Sequence, residues 1–206
     1  MNFLAHCTLA DQIADQWQAD DALRQGLLAG AVLGDFVKGP VDSHLPSALA
    51  TGIRLHRRID AISNRDPGIT KLANLFVTDL RRFAPIFLDI LADHALALDW
   101  PRHADIQLKE FSQRCYEAIR VERIHMSLTQ PAERFLSYLE AENLLANYHQ
   151  WAHVERASIS VLRRLECLEL KPLVLTELPR HVAPIRSDLN DIWTRLKSGA
   201  ATLPHP

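Results

Sequence analysis

Glycine is scarce in this chain, with 7 residues in 206, while Leu and Ala dominate; that balance argues against a sheet-rich fold and for helices. No apolar run reaches the roughly 18 residues of a membrane span, so no transmembrane segment is expected. The opening Met1-Asn2-Phe3-Leu4-Ala5-His6 lacks a basic n-region, and polar Asp11 and Gln12 soon follow, so a signal peptide is not expected either. Only three cysteines are present, Cys7, Cys115 and Cys167, odd in number and far apart. They exclude a disulfide framework or a CxxC zinc site and fit reduced thiols in a cytoplasmic protein. The formal net charge of −2 excludes a generally basic surface, so nucleic acid is not an expected partner. No repeat, low-complexity tract or dividing linker occurs. The length suits one domain with a substantial core, and the expectation is a single all-α domain over residues 1–206.

Within that domain the apolar spacing predicts a short helix or turn over residues 2–10 and a polar segment to about Asp20. A helix follows from Asp21 to Phe36, with Asp20 or Asp21 as its cap and Gly39-Pro40 beyond its end. Pro46 opens the next, which runs through His56 and Asp60 to Asn64. Asp66-Pro67-Gly68 reads as a turn that caps a helix through Leu72 and Phe76. Residues 79–99 read as one helix, kinked or started by Pro85. Helices are predicted near 104–122, 131–148, 151–168 and 183–198. Pro172 and Pro179 make residues 170–178 an extended connector, and the tail from Leu203 is expected to be loose.

What the chain does have is metal-type ligands at helical spacing. Four residues advance a helix by about 400°, so His56 and Asp60 share one face, and Asp89 and Asp93 share another. Leu88, Ile90, Leu91, Leu96 and Leu98 surround the second pair. A carboxylate buried there needs hydrogen bonds, counter-charges or a cation. His94 points about 100° around from Asp93. His6 and Asp35, the latter near a predicted helix end, complete the candidate set. Mixed imidazole and carboxylate ligation suits Mn²⁺, Fe²⁺ or Zn²⁺ better than Ca²⁺, and an all-carboxylate set would suit Mg²⁺. An ion held there acidifies water, and a second ion about 3.5–4 Å away would stabilise the leaving oxygen of a phosphate ester; one ion or two are both open.

Each of these residues has a plainer reading beside the functional one. His6 fits an ordinary helix histidine, His56 and Asp60 a surface pair worth about 0.2–0.5 kcal/mol, and Asp35 a polar helix end. Asp89 and Asp93 resist such a reading, because like charges at this spacing repel. Residues 51–82 also carry Arg54, Arg57, Arg58, Arg65, Lys71, Arg81 and Arg82 against three aspartates, a local excess of +4. Arg57 and Arg58 lie between the ligand candidates, and guanidinium forks match phosphate oxygens. The alternative for this stretch is a solvated helix face.

In this order, the segments Met1-Asn2-Phe3-Leu4-Ala5-His6, Gly34-Asp35-Phe36-Val37-Lys38-Gly39, Gly52 through Asp60, Arg81 through Pro85, and Leu88-Asp89 through Asp93-His94 resemble the acyl carrier protein phosphodiesterase family. That family is similar to the all-α HD-type metal-dependent phosphohydrolases. The resemblance implies hydrolysis of the phosphodiester that joins 4′-phosphopantetheine to a serine of holo-acyl carrier protein, with Mn²⁺ as activator and Mg²⁺ or Fe²⁺ as alternatives. It also implies a small acidic protein partner, which gives the local basic excess a purpose. On that reading His6, His56, Asp60, Asp93 and His94 hold metal. Asp35 and Asp89 act as further ligands or orient water, and Arg57 or Arg58 neutralises phosphoryl charge. Two departures stand out: Thr8 occupies a position where the family commonly has a second histidine, and Asp93-His94 reverses the usual His-Asp order. A related phosphohydrolase of small nucleotide or coenzyme-like diesters, and a helical binding module with vestigial ligands, are the competing readings.

Overall fold

Asp20 sets the first well-defined boundary, because its side chain accepts the Leu23 amide at 2.8 Å and caps the second helix. The computed structural model describes residues 2–204, so the part of the predicted loose tail at His205 and Pro206, and Met1 of the N-terminal motif, lie outside the described residues. Eleven α-helices and no strand occur among them. These are α1 (Phe3–Gln16), α2 (Asp21–Leu33), α3 (Ser47–Ser63), α4 (Pro67–Ala73), α5 (Thr78–Arg81) and α6 (Ala84–Leu98). They continue as α7 (Leu108–Glu122), α8 (Gln130–Ala141), α9 (Leu144–Asn147), α10 (Trp151–Arg164) and α11 (Lys171–Ala200). The expected all-α architecture is what forms, with one hydrophobic core running from Leu4 through Phe87 and Phe111 to Leu196.

The first helix is longer than its sequence suggests. It continues to Gln16 because Leu9, Ile13 and Ala14 are buried and carry the apolar pattern through the polar stretch. Its residues 4–10 are all buried, so the start of α1 is enclosed on every side; α2, α3, α6 and α11 supply the cover. Helices α2 and α3 approach so closely that a Cβ on Gly30 would lie 2.3 Å from the Gly52 carbonyl carbon.

The 79–99 segment is two helices, since the chain breaks at Arg82 and Phe83 and Pro85 sits in the first turn of α6, where its missing N–H costs nothing. Asn143, with φ of 45°, divides the predicted 131–148 helix into α8 and α9. The largest difference is at 170–178. No extended connector forms there; α11 begins at Lys171 and runs through Pro179 and Pro184. Two interior prolines cost about 3 kcal/mol each. Against this, Val174, Leu178, Ile185, Leu189, Ile192 and Leu196 line one buried face, at roughly 1.5–3 kcal/mol each. Burial prevails. Pro179 is exposed and Pro184 only half-buried, so both interruptions fall away from that face.

Candidate metal centre

The start of α1, the turn after α2 and the middle of α3 converge on one cluster. His6 Nε2 lies 3.0 Å from Asp60 Oδ1, and His56 Nε2 lies 3.2 Å from Asp60 Oδ2 and 3.3 Å from Asp35 Oδ1. The two imidazoles stack with centroids 4.2 Å apart. Their side chains are only 2% and 4% exposed, whereas those of Asp60 and Asp35 are 40% and 46% exposed. The cluster therefore has a dry imidazole wall and a carboxylate rim open to solvent.

Local packing fixes the His56 ring. Its Nδ1–H donates to the Ala31 carbonyl at 2.9 Å, which leaves Nε2 facing the carboxylates. A histidine that gives one ring N–H to a backbone carbonyl and turns the other nitrogen inward has the arrangement of an oriented metal ligand. Gly34 makes room for it: a Cβ there would sit 2.6 Å from His56 Cγ. The sequence names Gly34 in the motif around Asp35 without a packing role, although Gly26, Gly30 and Gly34 recur every four residues in a glycine-poor chain, a visible signal of close helix approach.

The electrostatics ask for a cation. Burial holds the His6 imidazole down at about 4, so it is neutral and has a nitrogen to offer. Burial would also lower His56, but hydrogen bonds to Asp35 and Asp60 lift it to about 10. In Asp60 burial is likewise outweighed: hydrogen bonds from His56 and His6 hold the carboxyl well below the usual range. Asp89, on α6, feels the same centre. Burial raises its carboxyl and outweighs the lowering by the chain's amino group, with smaller raising contributions from the charges of Asp60 and Asp35. The protonated His56 thus occupies the position of a positive charge among carboxylates. A divalent ion fits there in its place, with His6, His56 and Asp60 each offering a ligand atom, all within 4.8 Å of one another.

The remaining sequence candidates are engaged elsewhere. Asp93 is fully buried and accepts the Leu4 and Ala5 amides, both at 2.9 Å; burial pushes its carboxyl up to about 7 in spite of those donors. His94 Nδ1 donates to the Tyr148 carbonyl at 2.7 Å, and its ring meets Trp151 edge-on. Arg57 donates to the Val37 carbonyl at 2.9 Å, just past the turn that carries Asp35. Arg58 is bound at the end of α11, to the Gly199 carbonyl and Thr202 Oγ1 at 3.2 and 3.1 Å. Thr8 Oγ1 donates back to the Leu4 carbonyl at 2.8 Å, so it substitutes for no histidine in the cluster.

The acyl carrier protein phosphodiesterase profile matches residues 1–196. The chain belongs to that family. Its members are phosphoric diester hydrolases, so the chain is an enzyme of that class. The acyl carrier protein phosphodiesterase of Escherichia coli strain K12/DH10B is 33% identical over 205 residues, 98% of each chain. The one from Escherichia coli O157:H7 is 29% identical over 98% of each chain. A third, from Escherichia coli O6:H1, is 33% identical over 159 residues, 75% of this chain and 74% of its own. No solved structure matches, so the expected HD-type likeness has no structural neighbour behind it. No helix among the described residues is long and apolar enough to cross a membrane, and all three cysteines are free.

Proposed function

We propose that the chain hydrolyses the phosphodiester linking 4′-phosphopantetheine to a serine of an acyl carrier protein, releasing the apo carrier. The observation that carries the reading is the His6–His56–Asp60 cluster, which lies within the matched span of a family named for acyl carrier protein phosphodiesterase activity. When bound, a divalent cation supplies positive charge for the phosphoryl oxygens and acidity for a water. Mn²⁺ is the ion proposed for this donor set, with Mg²⁺ or Fe²⁺ as substitutes.

The chain's own groups do the rest. His6 and His56 form the dry wall and Asp60 bridges between them. Asp35 borders the rim as a further ligand or an orienter of water. Asp89, with its raised proton affinity, is the group to take or return a proton. Arg57 is the nearer of the two guanidinium candidates to the Asp35 turn and neutralises the developing phosphoryl charge. The carrier docks on the exposed basic residues of α3 to α5. Lys71 is committed to Asp188 at 2.7 Å and Arg58 to the end of α11, so Arg54, Arg65 and Arg82 carry that contact, beside exposed Leu75 and Val77.

The test is the intact mass of holo-acyl carrier protein after incubation with the protein and Mn²⁺, with and without chelator. Chelator-sensitive loss of the whole phosphopantetheine arm is the expected result. An unchanged carrier, with Mn²⁺ bound and the protein folded, overturns the substrate assignment in favour of a small nucleotide or coenzyme-like diester.

A further inference from the structure

Asp93-His94 has the residue types of a metal site, yet both Asp93 oxygens point at the start of α1 and His94 Nδ1 at the turn after α9. The first turn of any helix leaves amides without intrahelical acceptors. In α1 the N-cap residue, Asn2, makes no side-chain cap to its own helix. The acceptor comes instead from α6: Asp93 Oδ2 takes the Leu4 N–H and Oδ1 the Ala5 N–H, each at 2.9 Å. Asn2 reaches away, its Nδ2 donating to the Tyr148 hydroxyl at 2.8 Å. The main chain of that tyrosine accepts from His94 Nδ1 at 2.7 Å. Asp93, His94, Asn2 and Tyr148 thereby close a network around the first turn of α1. All but Asn2 are buried.

His6 follows directly on the two amides that Asp93 holds. A helix gripped at residues 4 and 5 has its axial position and its rotation set there, and both decide where the His6 imidazole points. One turn of slack in the grip would carry Nε2 out of reach of Asp60, which it meets at 3.0 Å.

We infer that Asp93, with His94 and Tyr148 behind it, is a positioning residue that borrows the capping role of α1 in order to aim His6 into the cluster, and is not itself a ligand. The reversed Asp-His order then has a physical reason. The two side chains diverge, one to the α1 amides and the other to the 148 turn. The inference rests on the metal reading of the cluster for its consequence, although its geometry is independent of any ion.

The test uses the full chain, with Asp93→Ala and with the milder Asp93→Asn, whose amide keeps one acceptor and sets an NH₂ against the second N–H. Mn²⁺ affinity is expected to fall about 10–100-fold, as for other partners that orient a ligand, while turnover returns at saturating Mn²⁺ with KM for the carrier unchanged. In metal-free protein, hydrogen exchange at the Leu4 and Ala5 amides should accelerate and the His6 imidazole resonances should shift. Asn2→Asp added to Asp93→Ala should restore part of the affinity, because an acidic N-cap supplies an acceptor for the same amides from within α1.

Loss of a metal equivalent that neither saturating Mn²⁺ nor Asn2→Asp recovers would overturn the inference in favour of direct ligation. Unchanged Mn²⁺ affinity and unmoved His6 resonances in a destabilised variant would overturn it in favour of plain packing. If Asp93→Ala does not fold, Tyr148→Phe, which deletes only the anchor of Asn2, must lower Mn²⁺ affinity and shift His6 in the same sense. If the parent protein takes up no Mn²⁺, the metal reading fails, and the exchange and His6 resonances still decide the positioning role.

Discussion

Helices α3 and α6 each carry two ligand-type residues four apart, and they use them differently. On α3 both members, His56 and Asp60, turn into one cluster, where His56 Nε2 and both Asp60 oxygens face another titratable group. On α6 the pair divides: Asp89 feels the charges of the cluster, while Asp93, one turn along, has both oxygens committed to backbone amides of α1. Identical spacing therefore does not mean identical work. A carboxylate whose lone pairs meet N–H donors is already compensated. One that meets other carboxylates and imidazoles still calls for a cation.

The sharpest way to break this comparison is His56→Ala. It should remove Mn²⁺ uptake and lower turnover by at least about 10³-fold, beyond the 10–100-fold typical of groups that only orient a ligand, with helical circular dichroism retained. Metal analysis beside steady-state kinetics checks it, and undiminished Mn²⁺ binding would place the centre elsewhere.

Asp89→Asn is the next largest, with kcat falling about 10²-fold as expected for a lost proton-transfer group. Because burial and like charge raise the Asp89 carboxyl, its ionised form is disfavoured in the folded state, and neutralising it should leave Tm unchanged or higher. A parallel fall in Tm and in Mn²⁺ affinity would put Asp89 in the same class as Asp93.

The smallest effect on activity belongs to a third carboxylate, Asp66. It caps α4 through the Gly68 and Ile69 amides and takes Arg195 in a fork at 2.6 and 2.9 Å. Asp66→Ala should cost about 2–3 kcal/mol from the lost cap and charge-assisted bonds, leaving turnover per folded molecule unchanged. Hydrogen bonds from Arg195 hold the Asp66 carboxyl below its ordinary 3.8. Its stabilisation is therefore present above about that pH and is lost as pH falls through the lower folded value. Urea titrations at pH 7 and pH 3 should show the gap between parent and variant closing only at the acid end.

Much of the first hundred residues was legible in the chain. Asp20 and Asp66 marked helix starts because an Asx side chain near an apolar run has a local job, and local jobs leave local signatures. The second half was harder to read. Pro172 and Pro179 argued for a break, and only the buried face from Val174 to Leu196 shows why α11 continues through two prolines. In the site, His6, His56, Asp60, Asp35 and Asp89 could be named from residue type and spacing. Their mutual distances, and the Ala31 carbonyl that sets the His56 tautomer, could not, since they join elements far apart in the chain.

The sequence by itself determined an all-α chain, a set of ligand-type residues and a family, because helical periodicity, residue chemistry and motif order are properties of near neighbours. The tertiary structure alone decided which carboxylates face the cluster and which one holds a helix in place. Those roles depend on which partner satisfies each buried oxygen, and the partners arrive from α1 and α3, some thirty to ninety residues away.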